Sequence, residues 1–398
     1  MDVQQICRLC DAYLEHTVHI RRHIHQHPEL SDKEFETSLM VQTELNRLGI
    51  EYHTFPHMTA VMGIIRGAGG AGGAVGLRAD MDALPLSEQT GLPFSSQNQG
   101  IMHACGHDAH TAILLGTAAV LQEMRGCFSG TVKLLFQPAE EGDGGARRMI
   151  SAGCMEQPHV DAVFGVHVEE HLPAGTLSAK KDGVNACSDR FSITVRGKKS
   201  HGASPSEGVD AIYVASLLVT GLYGLCSRRV APSEAVALNV GTFHGGEAAN
   251  IICDEVTLNV MFRTLDQAVR ERLAAEIEQF VRSICAANGA GVDFARQIGC
   301  DSQINDGALV DRLEAMSTFV LGPDKFVRSD RQSLGTEDFC YFGQAAPSVF
   351  YYIGSAAAPG HGFAPAHSSE FTIDEMCIPV GMRMQVAMTL DTLSRLKK

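Results

Sequence analysis

Apolar positions along this chain follow two periods, and the change between them divides it. In SDKEFETSLMVQTELNRLG, Phe35, Leu39 and Leu45 recur at helical intervals; Ser31 and Glu34 have capping-box spacing, and Gly49 can close the helix. Two strand-like runs follow, AVMGIIRG and AVGLRAD, joined by GAGGAGG, which reads as a hairpin turn. Next come a helix, DAHTAILLGTAAVLQEM, and the strands TVKLLF and DAVFGV. Apolar strands alternating with helices predict a mostly parallel sheet covered on both faces.

The middle of the chain reads differently. FSITVRG, AVALNVGTF, EVTLNVMFRT and GVDFARQIG are strands, the second and third with clear alternation. VDAIYVASLLVTGLYGL and DQAVRERLAAEIEQFVRSICAANG are helices between them. The order β-α-β-β-α-β is that of a ferredoxin-like sandwich. The expected organisation is an α/β domain in two parts, residues 1–185 and 300–398, interrupted by an insert at 186–299. The last part should contain a helix near ALVDRLEAMSTFVLG, the strand SVFYYIG and a C-terminal helix.

Composition narrows the function classes. The chain has 398 residues, 45% hydrophobic and 20% charged, as in a globular protein of two domains. Lys and Arg number 32 against 46 Asp and Glu, and a formal charge of -14 disfavours nucleic acid and anionic membranes as partners. The N-terminus has no apolar signal-peptide core, and SLLVTGLYGL is too short to span a bilayer. Twelve Cys over this length do not form the dense framework of a small secreted domain, so a reducing cytoplasm is expected. Cys7 and Cys10 make one C-x-x-C without a second pair, and GAGGAG at 67–72 is followed by a strand where a dinucleotide site needs a helix.

The chemistry concentrates in a few segments. In MHACGHDAHTA, Cys105 and His107 stand two apart just before a helix, a thiolate and an imidazole suited to one borderline divalent metal. Alone, the pair reads more simply as a buried Cys beside a surface His. The strand TVKLLF runs into QPAEEGDGG with Glu140 and Glu141, DAVFGV ends at His167, and AVGLRADMDALP ends with Asp80 and Asp82. Sites in open α/β sheets form outside the carboxyl ends of the strands, so these groups share one rim. Adjacent glutamates on extended chain point apart, so one can hold metal while the other serves as acid and base. His367 and His361 are both candidate loop ligands.

These segments carry a resemblance. RRHIHQHPELSDKEFET, GLRADMDALP, MHACGHDAHTA, FQPAEEGDGGARRMI, GVHV, RGKKSHGASP, GGEAANIICDEV and GTEDFCYF occur in the order of the M20 metallopeptidase family, and the chain is similar to its amidohydrolase subfamily. The resemblance implies a catalytic domain holding two divalent ions (Zn, Mn, Co or Ni) interrupted by a lid that also dimerises. By resemblance the metal ligands are Cys105, His107, Glu141, His167 and His367, and the general base is Glu140. Asp80 and Asp82 become carboxylates behind the metal site. His201 becomes the lid histidine that steadies the oxyanion, and Asn250 and Arg263 hold the substrate carboxylate, for which a guanidinium is well suited. The implied reaction is hydrolysis of an N-acyl amino acid, a small-molecule substrate. The alternative is a dipeptidase or carboxypeptidase using the same centre, with Glu169 or Glu170 receiving a free amine. Lys198-Lys199-Ser200 and Ser206, and Glu169-Glu170, depart from the family pattern beside the substrate rather than at a ligand. Arg263 has a simpler reading too, as an edge-strand cation paired with Asp266.

Overall fold

The computed structural model describes residues 2–142, 144–328, 333–356 and 364–396. In chain order these form α1 (Val3–Gln26), α2 (Phe35–Arg47), β1 (Glu51–Thr54), β2 (Val61–Arg66), β3 (Ala74–Asp80), α3 (His107–Glu123), β4 (Thr131–Gln137), α4 (Gly145–Ser151), β5 (Ala162–Pro173) and β6 (Leu177–Ser178). After β7 (Asp182–Asn185) come β8 (Cys187–Arg196), α5 (Ala211–Arg229), β9 (Val236–Gly245), β10 (Glu255–Thr264), α6 (Gln267–Ala287) and β11 (Gly291–Ile298). The chain closes with β12 (Gln303–Asn305), α7 (Gly307–Leu321), α8 (Cys340–Ala345), β13 (Ser348–Ala356) and α9 (Cys377–Arg395). It divides into a larger unit, residues 1–182, 304–331 and 338–398, and a smaller one, residues 183–303 and 332–337.

The larger unit is mixed α/β around a seven-stranded sheet in the order β1-β2-β4-β3-β5-β13-β6. β4, β3, β5 and β13 run parallel, whereas β2 and β6 pair antiparallel at their flanks, so the sheet is mixed rather than mostly parallel. The parallel strands are buried on both faces, and their side chains alternate between two cores. Leu77, Leu134, Phe164 and Ile353 face the cluster shared with α1, α3 and α9, while Leu135, Val163 and Phe350 face Met149 and Phe342. α3 is buried almost all round, which suits its continuous apolar sequence.

Two local expectations fail here. The glycine run is not a hairpin, because β4 lies between β2 and β3 and pairs with both. The connection passes over the entry to β4, where a Cβ on Gly67 would stand 2.3 Å from the Phe128 carbonyl oxygen and one on Gly130 would stand 2.2 Å from that of Gly73. Close backbone approach accounts for Gly67 and for Gly130 at the entry to the neighbouring strand, and a positive φ of +94 accounts for Gly70. The Ser31–Glu34 capping box is also absent: Glu34 is the N-cap of α2 but makes no side-chain cap.

The smaller unit has the order β8-α5-β9-β10-α6-β11 on an antiparallel sheet ordered β11-β8-β10-β9. Phe191, Ile193, Leu258 and Phe262 bury one face of the sheet with Leu218, Leu222, Leu273 and Ile277 of the two helices. α5 has 19 residues and is long and apolar enough by composition to cross a membrane, longer than the sequence suggested. Its Val214, Leu218 and Leu222 pack in this core.

Candidate active site

The carboxyl ends of β3 and β4 lie side by side, with Asp80 in register with Gln137 and Arg78 paired to Gly165 of β5. His167 lies two residues further along β5, which continues past it to Pro173, so this histidine is within the strand rather than at its end. Three turns complete the rim.

The first turn leads into α3. Gly106 has φ +87, and a Cβ there would meet Val168 Cγ2 at 2.3 Å, so glycine lets the Cys105–His107 turn lie against β5. Cys105 Sγ lies 3.4 Å from His167 Nε2. His167 Nδ1 donates to the Val168 carbonyl at 2.6 Å, which turns Nε2 toward the thiol. His107 is buried, and neither ring nitrogen has a hydrogen-bond partner. Its nearest acceptors are Asp82 Oδ1 at 3.4 Å and Asp80 Oδ2 at 3.8 Å.

The second turn follows β4. Asp82 is buried and accepts the backbone N–H groups of Glu140 at 3.1 Å and Glu141 at 3.0 Å, together with the Ser31 hydroxyl at 2.6 Å. The third turn carries His367, with φ +65. Its N–H donates to the Ala104 carbonyl at 2.7 Å, and its Nε2 lies 2.9 Å from Glu141 Oε1. His361 falls outside the described residues.

Ligand atoms of Cys105, His107 and His167 lie within 4.8 Å of one another, as do those of Cys105, Glu141 and His367, and those of His107, Glu140 and Glu141. The five expected ligands therefore form two overlapping groups that share Cys105, with Glu140 beside them. Thiolate, imidazole and carboxylate donors suit Zn, Mn, Co or Ni, and the buried His107 ring, with no hydrogen-bond partner at either nitrogen, fits a group that accepts its one lone pair. The electrostatics agree. Burial opposes a thiolate at Cys105, but His167 and His107 overcome it and bring the thiol down to about 6. Burial likewise opposes charge on His167, yet Cys105 raises it to about 9. Hydrogen bonds to Cys105 and Glu141 raise His367 to about 10.

His110 belongs to this site, and the sequence analysis passed over it. Its Nε2 accepts the Val168 N–H at 2.9 Å, so Nδ1 must carry the proton donated to Asp80 Oδ1 at 2.6 Å. Both nitrogens are engaged, and burial holds its pKa down at about 4, so it is a neutral strut rather than a ligand. Asp80 also takes Arg78 Nη1 at 2.7 Å. Asp108 was likewise unnoticed. It is buried, forms an ion pair with Arg21 Nε at 2.7 Å and accepts from His25 Nδ1 at 2.8 Å, tying α1 to the start of α3.

His201, Asn250 and Arg263 are on the smaller unit. His201 and Asn250 are neighbours there: the Gly202 N–H donates to the Asn250 carbonyl at 2.8 Å, and the Ala203 N–H to His201 Nδ1 at 3.1 Å. Arg263 is half-buried and donates from Nη1 to the Leu334 carbonyl at 2.8 Å, while its Nε has no partner. The edge-strand ion pair is not formed. β10 lies inside its sheet, and Asp266 instead caps α6 through the Ala268 and Val269 N–H groups.

The family model for peptidase family M20/M25/M40 matches residues 76–391. The chain belongs to this family. It is 39% identical over 369 residues to thermostable carboxypeptidase 1 of Saccharolobus solfataricus, covering 92% of each chain. It is 37% identical over 363 residues to the N-acetyl-L-cysteine deacetylase of Bacillus subtilis, covering 90% of this chain and 84% of that one. The crystal structure of the Bacillus subtilis YXEP protein, a dinuclear metal-binding M20 peptidase, superposes with a TM-score of 0.84 at 31% identity over 96% of this chain and 99% of that one. This M20 chain is thus a metal-dependent hydrolase, and the overlapping ligand groups together with the dinuclear neighbour support two divalent ions.

Proposed function

We propose that this enzyme hydrolyses the amide bond of N-acyl amino acids, releasing a carboxylic acid and a free amino acid. The observation that carries the reading is the pair of ligand groups sharing Cys105, with Glu140 beside Glu141. Cys105, His107, Glu141, His167 and His367 would hold two divalent ions, which supply Lewis acidity at the amide carbonyl and lower the pKa of water. Glu140 takes the proton of the attacking water and returns it to the departing amine. Asp82 fixes the turn bearing both glutamates, and Asp80 holds His110 in one tautomer.

His201 is assigned to the oxyanion, and Asn250 and Arg263 to the substrate carboxylate. An Arg without a carboxylate partner among the described residues supports that role. Residues 186–299 act in this reading as a ferredoxin-like lid and dimerisation domain, with 1–185 and 300–398 forming the catalytic domain. The exposed Ile212, Tyr213, Tyr223 and Phe243 of that segment support a homodimer. Twelve unpaired thiols support a cytoplasmic setting.

A carboxypeptidase would break the same type of bond with a peptidyl acyl group, and the Saccharolobus relatives favour it as the second reading. A dipeptidase needs a partner for the substrate's free ammonium. Glu170 accepts the Ala366 N–H at 3.0 Å and Glu169 that of His171 at 3.2 Å, and each carboxylate retains acceptor capacity for such a group. The test compares N-acyl amino acids with their carboxamides, in wild type and Arg263→Ala. Wild type should strongly prefer the free acid and the variant should lose that preference; equal preference in both would remove the carboxylate assignment.

A further inference from the structure

Ser31 and Glu34 have the spacing of a helix cap yet cap nothing, and both side chains are committed to the active-site turns. Ser31 donates to Asp82, which holds the Glu140 and Glu141 N–H groups. Glu34 is completely buried and reaches the residue before them: its Oε1 accepts the Ala139 N–H at 2.9 Å and the Asp32 N–H at 3.0 Å, while Oε2 accepts the Thr59 hydroxyl at 2.6 Å. Ala139 has φ +52, a left-handed conformation that a Cβ disfavours. Ala139 lies two residues past the end of β4 and directly before Glu140 and Glu141, so its conformation bears on where they point. The unfavourable φ persists because a buried N–H would lose its acceptor if the turn relaxed.

We propose that Glu34 is a positioning residue for the Glu140–Glu141 pair, holding Ala139 left-handed through its backbone N–H. The inference rests on the proposed role of those two glutamates. Glu34 is completely buried and its two oxygens are engaged by the Ala139, Asp32 and Thr59 donors, so its effect passes through the turn. A glycine at 139 adopts the same φ without strain and should make Glu34 partly dispensable.

The experiment uses the full chain with Glu34→Ala, Glu34→Asp and Glu34→Gln, each with and without Ala139→Gly. One arm measures hydrogen exchange of the peptide spanning residues 138–142 in chelator-stripped protein; the other measures kcat and KM on N-acyl amino acids after metal is restored. Glu34→Ala and Glu34→Asp, which remove or withdraw the acceptor, should speed exchange in this peptide. They should lower kcat about 10- to 100-fold, the usual effect of removing a supporting hydrogen bond behind a metal ligand, with KM little changed. Glu34→Gln keeps an oxygen acceptor and should remain near wild type. Ala139→Gly should restore about fivefold in kcat to the Ala and Asp variants, the fold-change matching the relieved left-handed strain. If Glu34→Ala fails to fold, Glu34→Asp carries the same comparison. Wild-type kcat in Glu34→Asp, or loss in the variants that Ala139→Gly deepens instead of restoring, overturns the proposal. If wild type hydrolyses no N-acyl amino acid, the functional reading falls separately, and exchange in the peptide still decides: unchanged protection in Glu34→Asp rejects the contact.

Discussion

Replacing Asp82 by Asn changes one atom of a buried carboxylate and should disarm the centre. Oδ1 faces the Glu140 N–H at 3.1 Å and His107 Nδ1 at 3.4 Å; Oδ2 faces the Glu141 N–H at 3.0 Å and the Ser31 hydroxyl at 2.6 Å. An amide can present its oxygen to only one of these sides. Its NH2 must then meet a backbone N–H, leaving that donor without an acceptor at a cost of about 1–3 kcal/mol. At 1.4 kcal/mol per factor of ten, the productive turn loses roughly 5- to 150-fold in population against relaxed alternatives. Asp82→Asn should therefore bind divalent metal about 10- to 100-fold more weakly, the range expected when the partners behind metal ligands are changed. Competition with a fluorescent chelator measures this, with hydrogen exchange outside residues 138–142 as the control for global unfolding. Metal affinity within twofold of wild type would refute the claim that Asp82 organises both the glutamate turn and His107.

Glu140→Gln should retain both ions by elemental analysis yet lose at least about 100-fold in kcat, whereas Glu141→Gln should lose metal; the reverse pattern would exchange their roles. Metal loading of the stripped protein at pH 7.5 should release about two protons or more per chain, because His167 near 9 and His367 near 10 are protonated there while Cys105 near 6 is already a thiolate. Metal affinity should then rise with pH from neutrality and level off once these histidines lose their protons; calorimetry in buffers of different ionisation enthalpy measures the release, and none at pH 7.5 would contradict the assignment. Gly106→Ala should destabilise the fold by about 2–5 kcal/mol, since φ +87 and a 2.3 Å approach to Val168 act together. Wild-type thermal stability of that variant would rule out the described turn.

Much of the candidate site's composition was legible in the sequence. Cys105, His107, Glu141, His167 and His367 lie in short motifs, and the structure brings them together beside the carboxyl ends of β3 and β4, with His167 inside β5. His110 stood within the same motif, but its role depends on a backbone N–H from Val168, which no sequence spacing reveals. Glu34 was read as a local cap because capping is a contact between near neighbours; its acceptor role toward Ala139 spans 105 residues. The glycine run looked like a hairpin for the same reason, since strand neighbours in sequence need not be neighbours in the sheet, and β4 enters between β2 and β3. The antiparallel flanks were invisible because buried strands of either direction share one apolar pattern.

The bond this centre cleaves separates an N-acyl amino acid hydrolase from a dipeptidase. The most direct measurement is kcat/KM of the metal-reconstituted enzyme for an N-acetyl amino acid and for the dipeptide in which glycine replaces the acetyl group, with release of the common amino acid quantified by chromatography. Release from the N-acetyl compound is expected, abolished by chelator and restored by divalent metal, with kcat/KM well above that for the dipeptide. Faster cleavage of the dipeptide than of the N-acetyl compound would contradict the proposed function.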